Sequence, residues 1–313
     1  MSRWHAGSFP GVSVFIPTYN DAADLAPCLE SLRALQYPRH RLEIVVWDNA
    51  SDDGTAAMVE GKFREMSGEG WLGLRLLHSE RNHGPYVPYN LVETSLAPES
   101  DYTLGMDADV EVAPDVLTRL VAAAKGERVA VVGARSVYFD RPESTAHGAG
   151  FVNRWSARYG EADPDEPIDC DYVIGCCWLL TRRAFREVAG FDSRFFINHW
   201  EVDYCLRLKQ RDWRIRYEPR AVARHKISPG GTRSPERLYY LYRNKLLMIR
   251  TSGYFRRPGL AAVMAAIGTA TRIAADALIA SSTRETAASL RGLWDGLRGR
   301  SGADPDSARP GIL

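Results

Sequence analysis

The chain has 313 residues, 45% of them hydrophobic and 25% charged, enough to bury a full core in one large domain or in one domain with an appendage. A formal net charge of +1 gives no overall electrostatic case for a nucleic-acid partner. The five cysteines (Cys28, Cys170, Cys176, Cys177, Cys205) are odd in number and contain no Cys-x-x-Cys pair, which argues against a disulfide framework or structural zinc and for reduced thiols.

Residues 1–10 contain no apolar run, so neither a secretory signal nor a membrane anchor is expected there. Residues 11–16 are β-rich and stop at Pro17, which predicts a strand running into the loop Thr18-Tyr19-Asn20. From Asp24, the residues Leu25, Cys28, Leu29, Leu32 and Leu35 recur at helical spacing, and Tyr37-Pro38 closes that helix. A second strand over 42–47 ends in the polar run 48–55, and helical spacing resumes through Met58, Val59, Phe63 and Met66. A strand near 74–77, a loop over 80–84, a helix over 85–96 and a central strand from Tyr102 ending at Asp107 follow. This alternation predicts an α/β fold with a mostly parallel, Rossmann-like sheet and helices on both faces.

Polar clusters fall where these strands end: 17–20, 48–53, 81–84 and 107–109. In open α/β sheets that edge is where ligands bind, so the four clusters are expected to converge on one crevice. No Gly-x-Gly-x-x-Gly follows the first strand and no P-loop occurs anywhere, so acids and a metal are expected in place of a glycine-lined phosphate cradle. Asp107 and Asp109 stand at i and i+2, and on an extended strand two such carboxylates point to one side and share one ligand. Carboxylate oxygens suit a hard divalent ion such as Mg²⁺ or Mn²⁺, which keeps positions open for phosphate oxygens. The competing reading is that the pair simply ends a strand, with Asp109 opening a turn or capping the helix near Pro114.

Further along, a helix is predicted over 114–124 and a strand over 128–133. Residues 136–171 lose regularity, as either an excursion around an active site or an ordinary variable loop. Residues 172–180 form a buried strand by composition, and 182–188 a short helix. Glu201 and Asp203 open a helix that runs to Lys209, where acids favour its dipole. A strand over 213–217 precedes the alternation 221–226, which aims His225 back toward the crevice. From Gly259 an alanine-rich helix has Leu260, Val263, Met264, Ile267, Ala274 and Leu278 on one face, but Arg272 and Asp276 interrupt it and a transmembrane span is not expected. Leu290, Leu293, Trp294 and Leu297, with Arg284, Arg291, Arg298 and Arg300 nearby, describe a second amphipathic piece that either lies on an anionic membrane or packs against the domain or another subunit. Residues 301–313 read as a loose tail. The division expected is a first domain over 1–250 and a helical segment with tail over 251–313.

Four stretches, in order, carry a resemblance. Val14-Phe15-Ile16-Pro17-Thr18-Tyr19-Asn20, Val45-Val46-Trp47-Asp48-Asn49-Ala50-Ser51-Asp52-Asp53-Gly54-Thr55, Asp107-Ala108-Asp109 and Gly190-Phe191-Asp192-Ser193-Arg194-Phe195-Phe196 resemble the successive signatures of family 2 glycosyltransferases with the GT-A fold. The similarity spans roughly residues 11–250. It implies a nucleotide-diphosphate sugar donor (UDP- or dTDP-linked), a cation (Mn²⁺ or Mg²⁺) and inverting transfer to an acceptor hydroxyl. Carried over by position, Pro17 and Thr18 lie against the nucleobase with Asn20 beside them, Asp48 binds base or ribose, and Asn82 and Gly84 touch the nucleoside side. Asp107 meets ribose or metal, Asp109 ligates the cation, and His225 completes the metal shell. Arg233, in the loop 228–233, becomes a candidate phosphate contact; an ordinary surface loop is the equally economical reading.

Family members show Glu-Asp-x-Asp before the Leu-Cys-Leu-Arg helix, whereas this chain reads Trp200-Glu201-Val202-Asp203. Glu201 therefore occupies the base position, with Asp203 the alternative. Residues 239–245 also resemble a family segment, although their aromatics serve equally to pack a helix. Gln210-Arg211-Asp212-Trp213-Arg214 resembles the Gln-x-x-Arg-Trp of processive polysaccharide synthases with Trp and Arg in the wrong order, which disfavours processive synthesis. Rhamnosyl or related transfer onto a lipid-linked or cell-surface glycan is the expectation within the family, from the cytoplasm or the cytosolic membrane face, with no nucleic acid and with a homo-oligomer allowed. Two rival classes remain. A nucleotidyltransferase needs a basic loop after the first strand, which residues 17–21 do not supply; a non-catalytic sugar-nucleotide or glycan-binding module would read Trp200 as a mark of lost chemistry.

Overall fold

The computed structural model describes residues 9–227, 234–279 and 282–302. The first half alternates strand and helix as expected: β1 (Gly11–Thr18), α1 (Ala22–Arg33), β2 (Leu42–Asp48), α2 (Thr55–Met66), β3 (Gly73–His78), α3 (Val87–Val92) and β4 (Ser100–Met106). After β4 come the short β5 (Val110–Val112), α4 (Val116–Ala124) and the ten-residue β6 (Val129–Tyr138). β1 is buried along nearly its whole length, with Val12, Val14 and Ile16 in one core and Phe15 in the other. A strand buried on both faces reads as a continuous apolar run, which is why residues 11–16 stand out in the sequence.

The region expected to be irregular is instead built of small strands: β7 (Arg141–His147), β8 (Ala149–Val152), β9 (Tyr159–Ala162) and β10 (Ile168–Cys170). β7 extends the sheet from β6 and β10 from β12, while β8 and β9 form a separate two-stranded sheet, with Gly150 of β8 also bridging Tyr172. β7 and β9 carry mostly exposed or half-buried side chains, and β8 and β10 are only four and three residues long, so none offers a clean apolar alternation for a sequence reading to detect. The buried strand expected over 172–180 is shorter than its apolar run: β11 covers Cys177–Thr181. α5 (Arg182–Glu187), α6 (Trp200–Lys209) and β12 (Arg214–His225) follow, and the chain ends in α7 (Pro235–Thr251), α8 (Pro258–Ile279) and α9 (Thr283–Arg298).

The main sheet runs β10-β12-β6-β11-β4-β1-β2-β3, with β5 added beside β12. β3, β2, β1 and β4 are parallel, and β11 is the antiparallel member between β4 and β6. The chain moves outward from β1 through β2 to β3 and then returns to place β4 on the other side of β1. That reversal opens a crevice beyond the C-terminal ends of β1 and β4, and the polar clusters sit on its rim. All five cysteines are buried and free.

Gly105, one residue before the end of β4, is required by close packing. A Cβ there would lie 2.4 Å from Tyr89 Oη and 2.5 Å from Trp178 Nε1. These two rings belong to an aromatic cluster that also holds Phe191, Tyr204 and Trp200. Trp200, the departure from the family pattern, is buried there, stacked on Tyr86 and edge-on to Trp178 and Phe191.

Candidate active site

Three loops on the β1–β3 side are stitched together by side-chain-to-backbone hydrogen bonds. Asn20, in the left-handed region at φ 56°, accepts from the Asp52 N–H at 2.9 Å, while its own N–H donates to Ser51 Oγ at 2.9 Å. Asp48 is buried and accepts from the Ser51 N–H at 3.0 Å. Thr18 donates to Asp21 Oδ2 at 3.0 Å. Asn82 accepts from the Gly84 N–H at 2.8 Å, and Gly84 has φ +78°, which favours glycine. Asn49, which the residue patterns did not single out, is the hub: its amide receives the His83 N–H at 3.2 Å and donates to the Gly84 carbonyl at 3.4 Å. Pro17, Thr18, Asn20, Asp48, Asn82 and Gly84 thus belong to one connected rim. Arg233 lies outside the described residues.

The acidic pair does not sit on an extended strand. β4 ends at Met106, and Asp107 to Asp109 form a turn closed by the Val110 N–H donating to the Asp107 carbonyl at 3.3 Å. Ala108 points into the core between the two acids. His225 arrives from the end of β12, whose antiparallel pairing sets it opposite Val110. As a result His225 Nε2 lies 3.2 Å from Asp109 Oδ1 and 3.8 Å from Asp107 Oδ2. One ligand atom from each of the three residues falls within 4.8 Å of the others. Two carboxylates and an imidazole form a donor set suited to a divalent cation, with the imidazole compatible with Mn²⁺.

The charges at this centre are strongly coupled. Although burial works against an imidazolium, the hydrogen bond to Asp109 and the charge of Asp107 raise the His225 pKa to about 11. Burial, together with the charges of Asp109, Glu201 and Asp21, pushes Asp107 up to about 7. Asp21 is raised too, chiefly by burial, and feels Asp109. Four carboxylates crowd one cleft, an arrangement that costs free energy until positive charge enters.

Glu201 stands in the first turn of α6 with its Oε2 buried and without a hydrogen-bond partner among the described residues. Burial raises its pKa to about 7. Tyr159 Oη and His199 Nδ1 are buried and unpaired nearby, with the two rings 5.6 Å apart. Asp203 differs sharply: it is fully buried, bonded to Arg207 Nε at 2.7 Å and to Thr251 Oγ1 at 3.2 Å. Arg207 in turn donates to the Val188 and Gly190 carbonyls at 2.9 and 2.8 Å. Asp203 is therefore spent on holding α6 to its neighbours, and it faces no open space.

The turn that delivers Glu201 is unusual. Asn198 and His199 are consecutive non-glycine residues at φ 61° and 64°, a conformation costing on the order of 1 kcal/mol or more per residue. Asn244, fully buried on α7, donates its amide to the Ile197 carbonyl at 2.6 Å and the Asn198 carbonyl at 3.2 Å. Its Oδ1 accepts from Arg243 Nε at 2.8 Å, which fixes the amide's orientation. The sequence marked residues 239–245 only as a packed helix with family likeness; nothing local in it ties Asn244 to a turn some 46 positions earlier.

Residues 13–189 match the family model described as glycosyl transferase family 2. The chain is 26% identical over 225 residues to the glycosyltransferase AglE of Haloferax volcanii, covering 72% of this chain and 69% of that protein. It is 26% identical over 274 residues to the N-acetylglucosaminyl-diphospho-decaprenol L-rhamnosyltransferase of Mycobacterium tuberculosis, covering 77% and 85%. It is 30% identical over 226 residues to the pre-mycofactocin glycosyltransferase of the same organism, a match covering 68% of this chain but only 42% of that protein. Among solved structures, the mannosyltransferase PcManGT of Pyrobaculum calidifontis, in complex with GDP-Man and Mn²⁺, superposes with a TM-score of 0.64 at 18% identity, covering 93% of this chain and 88% of that one. TarS 1–349 of S. aureus, in complex with UDP, gives 0.60 at 17% identity over 92% and 80%. The fold is that of the GT-A glycosyltransferases, and on the match of its sequence the chain belongs to glycosyl transferase family 2.

Proposed function

We propose that this glycosyltransferase moves a sugar from a nucleoside-diphosphate donor to an acceptor hydroxyl with inversion, using Glu201 as the base and Asp107, Asp109 and His225 to hold a divalent cation. The observation that carries the reading is the pairing of a three-residue cation site with a buried, unpaired carboxylate whose charge is felt by Asp107. The rim built from Pro17, Thr18, Asn20, Asp48, Asn82 and Gly84 is assigned to the nucleoside. Bound at Asp107, Asp109 and His225, Mn²⁺ or Mg²⁺ supplies positive charge to the departing diphosphate.

Glu201 takes the proton of the acceptor hydroxyl as its oxygen bonds to the sugar's anomeric carbon. The bond from that carbon to the donor phosphate oxygen breaks, and its electron pair leaves with the nucleoside diphosphate. A carboxylate near pKa 7 is matched to this work at neutral pH, since it is substantially ionised there yet basic enough to accept a proton. Tyr159 and His199, with unpaired polar atoms close by, are placed to receive acceptor hydroxyls. Asp203 is assigned a structural part. A lipid-linked or cell-surface glycan acceptor is favoured by the relative whose name specifies a diphospho-decaprenol substrate and rhamnosyl transfer.

The test is a thermal-shift screen of UDP-, dTDP- and GDP-sugars with and without Mn²⁺, followed by assay of the released nucleotide. A stabilising donor that requires Mn²⁺, with nucleoside diphosphate as product, supports the reading. Release of a sugar 1-phosphate with the nucleoside monophosphate carried on to the acceptor, or stabilisation by a donor with no turnover on any hydroxyl acceptor, would replace it with nucleotidyl transfer or with a binding module.

A further inference from the structure

Twelve large hydrophobic side chains are conspicuously exposed among the described residues, and eight of them lie on α8 and α9. On α8 these are Leu260, Val263, Met264, Ile267 and Leu278, the last two at 60% and 88% exposure. On α9 they are Leu290, Trp294 and Leu297, at i, i+4 and i+7 along one face. Outward aliphatics grouped on adjacent helices of one molecule mark a partner surface, whereas single exposed ones need no explanation.

We propose that the outward faces of α8 and α9 rest on an anionic lipid bilayer, with α8 lying along the interface. Charge selects this occupant. Residues 254–302 contain seven arginines and three acids, while the rest of the chain holds 33 basic and 36 acidic residues. Arg256 and Arg257 are exposed at the start of α8, and Arg298 lies over the Trp294 ring at 4.5 Å, an aromatic and cationic pairing suited to the headgroup layer. A second copy of the chain would bring the same positive face to the contact, which disfavours self-association through it. Anionic headgroups complement it.

Residues Pro258–Leu278 are long and apolar enough to cross a bilayer, more so than the interruptions at Arg272 and Asp276 suggest from sequence. The helix is nevertheless committed to the protein along one stripe: Ala261, Ala265, Thr269 and Ile273 are buried at four-residue spacing, and Ile273 packs with Leu238 and Tyr242 of α7. Spanning would strip that stripe from α7. Lying flat leaves it in place and buries the opposite side.

The proposal is independent of the donor reading, and its test needs no turnover. The full chain is sedimented with vesicles of phosphatidylcholine alone or mixed equally with phosphatidylglycerol. Binding is expected to be about tenfold or more tighter to the anionic vesicles and to weaken with salt, following charge attraction near an anionic surface. Val263→Glu with Ile267→Glu, both on the outward face, should abolish binding; Arg256→Gln with Arg257→Gln should reduce it for anionic vesicles only. In all variants an unchanged melting temperature of the unliganded protein serves as a check that the fold is intact. Absence of vesicle binding, binding untouched by the glutamate pair, a dimer in sedimentation velocity that the same pair dissolves, or release from native membranes only by detergent would each overturn the proposal.

Discussion

The two halves of the cleft reach their chemistry by opposite means. On the side proposed for donor and cation, the residues lie at strand ends or in the loops that follow them, and the sheet's own register brings Asp107, Asp109 and His225 together: β12 against β5 sets His225 opposite Val110. On the base side, Glu201 follows two left-handed residues whose carbonyl groups are clamped by Asn244 from a distant helix. Backbone ladders tolerate the loss of one side chain, while a turn held by side chains does not. The metal side should therefore fail only when a ligand is removed, and the base side when any support is.

Asp109→Asn should have the largest effect, because it removes ligand charge from the centre meant to neutralise the leaving group. Turnover is expected to fall about 10³-fold, and the Mn²⁺-dependent thermal shift should disappear. Metal affinity in the unaltered protein should weaken as pH falls, since His225 and Asp107 must be deprotonated to act as ligands. Isothermal titration with Mn²⁺ at several pH values, with proton release measured in two buffers, reads this directly.

Glu201→Gln comes next, at roughly 10²-fold in kcat with donor binding retained. In the unaltered enzyme kcat should rise with pH through about 7 as Glu201 ionises, and the variant should lose that limb. The linkage sign is definite. A carboxyl at about 7 in the folded state and at the ordinary glutamate value of 4.5 when unfolded keeps a proton that the unfolded chain has released, so stability declines as pH rises across that window. Chemical denaturation of the glutamine variant should show a flatter pH dependence between about 4.5 and 7.

Asn244→Ala sharpens the comparison most. With the Ile197 and Asn198 carbonyls released, kcat should drop about tenfold while the donor KM and the Mn²⁺ response stay unchanged, the order expected for a misplaced catalytic group. Asn244→Gln, which keeps the amide at a longer reach, should recover part of the loss. A parallel fall in donor affinity would mean that the turn serves the whole cleft. Asp203→Asn should affect turnover least: leaving Arg207 without its charge partner costs roughly 3 kcal/mol of stability, visible in urea denaturation, with kcat within a few-fold of the unaltered enzyme. A loss as deep as that of Glu201→Gln would make Asp203 the base.

How much of this was legible in the residues follows the same division. The strands β1 to β4, the rim clusters and the acidic pair could be read directly, because buried parallel strands write themselves as apolar runs and their polar ends stand out against them. The strands β7 to β10 could not, since β7 and β9 have solvated side chains and β8 and β10 are too short for an apolar alternation to announce them. The turn geometry of Asp107 and Asp109 was hidden for a related reason: an i, i+2 spacing suits an extended strand, but Ala108 is pulled into the core and bends the chain there.

The order of elements, the family and the residues proposed for the cation and the base could be read from the sequence alone, because each depends on neighbours within a few positions or on motif order. Only the tertiary structure decided that Asp203 is an anchor, that Trp200 fills an aromatic core and that Asn244 holds the turn before Glu201. Those roles depend on contacts between segments tens of residues apart, and no local pattern records which partner a buried side chain will meet.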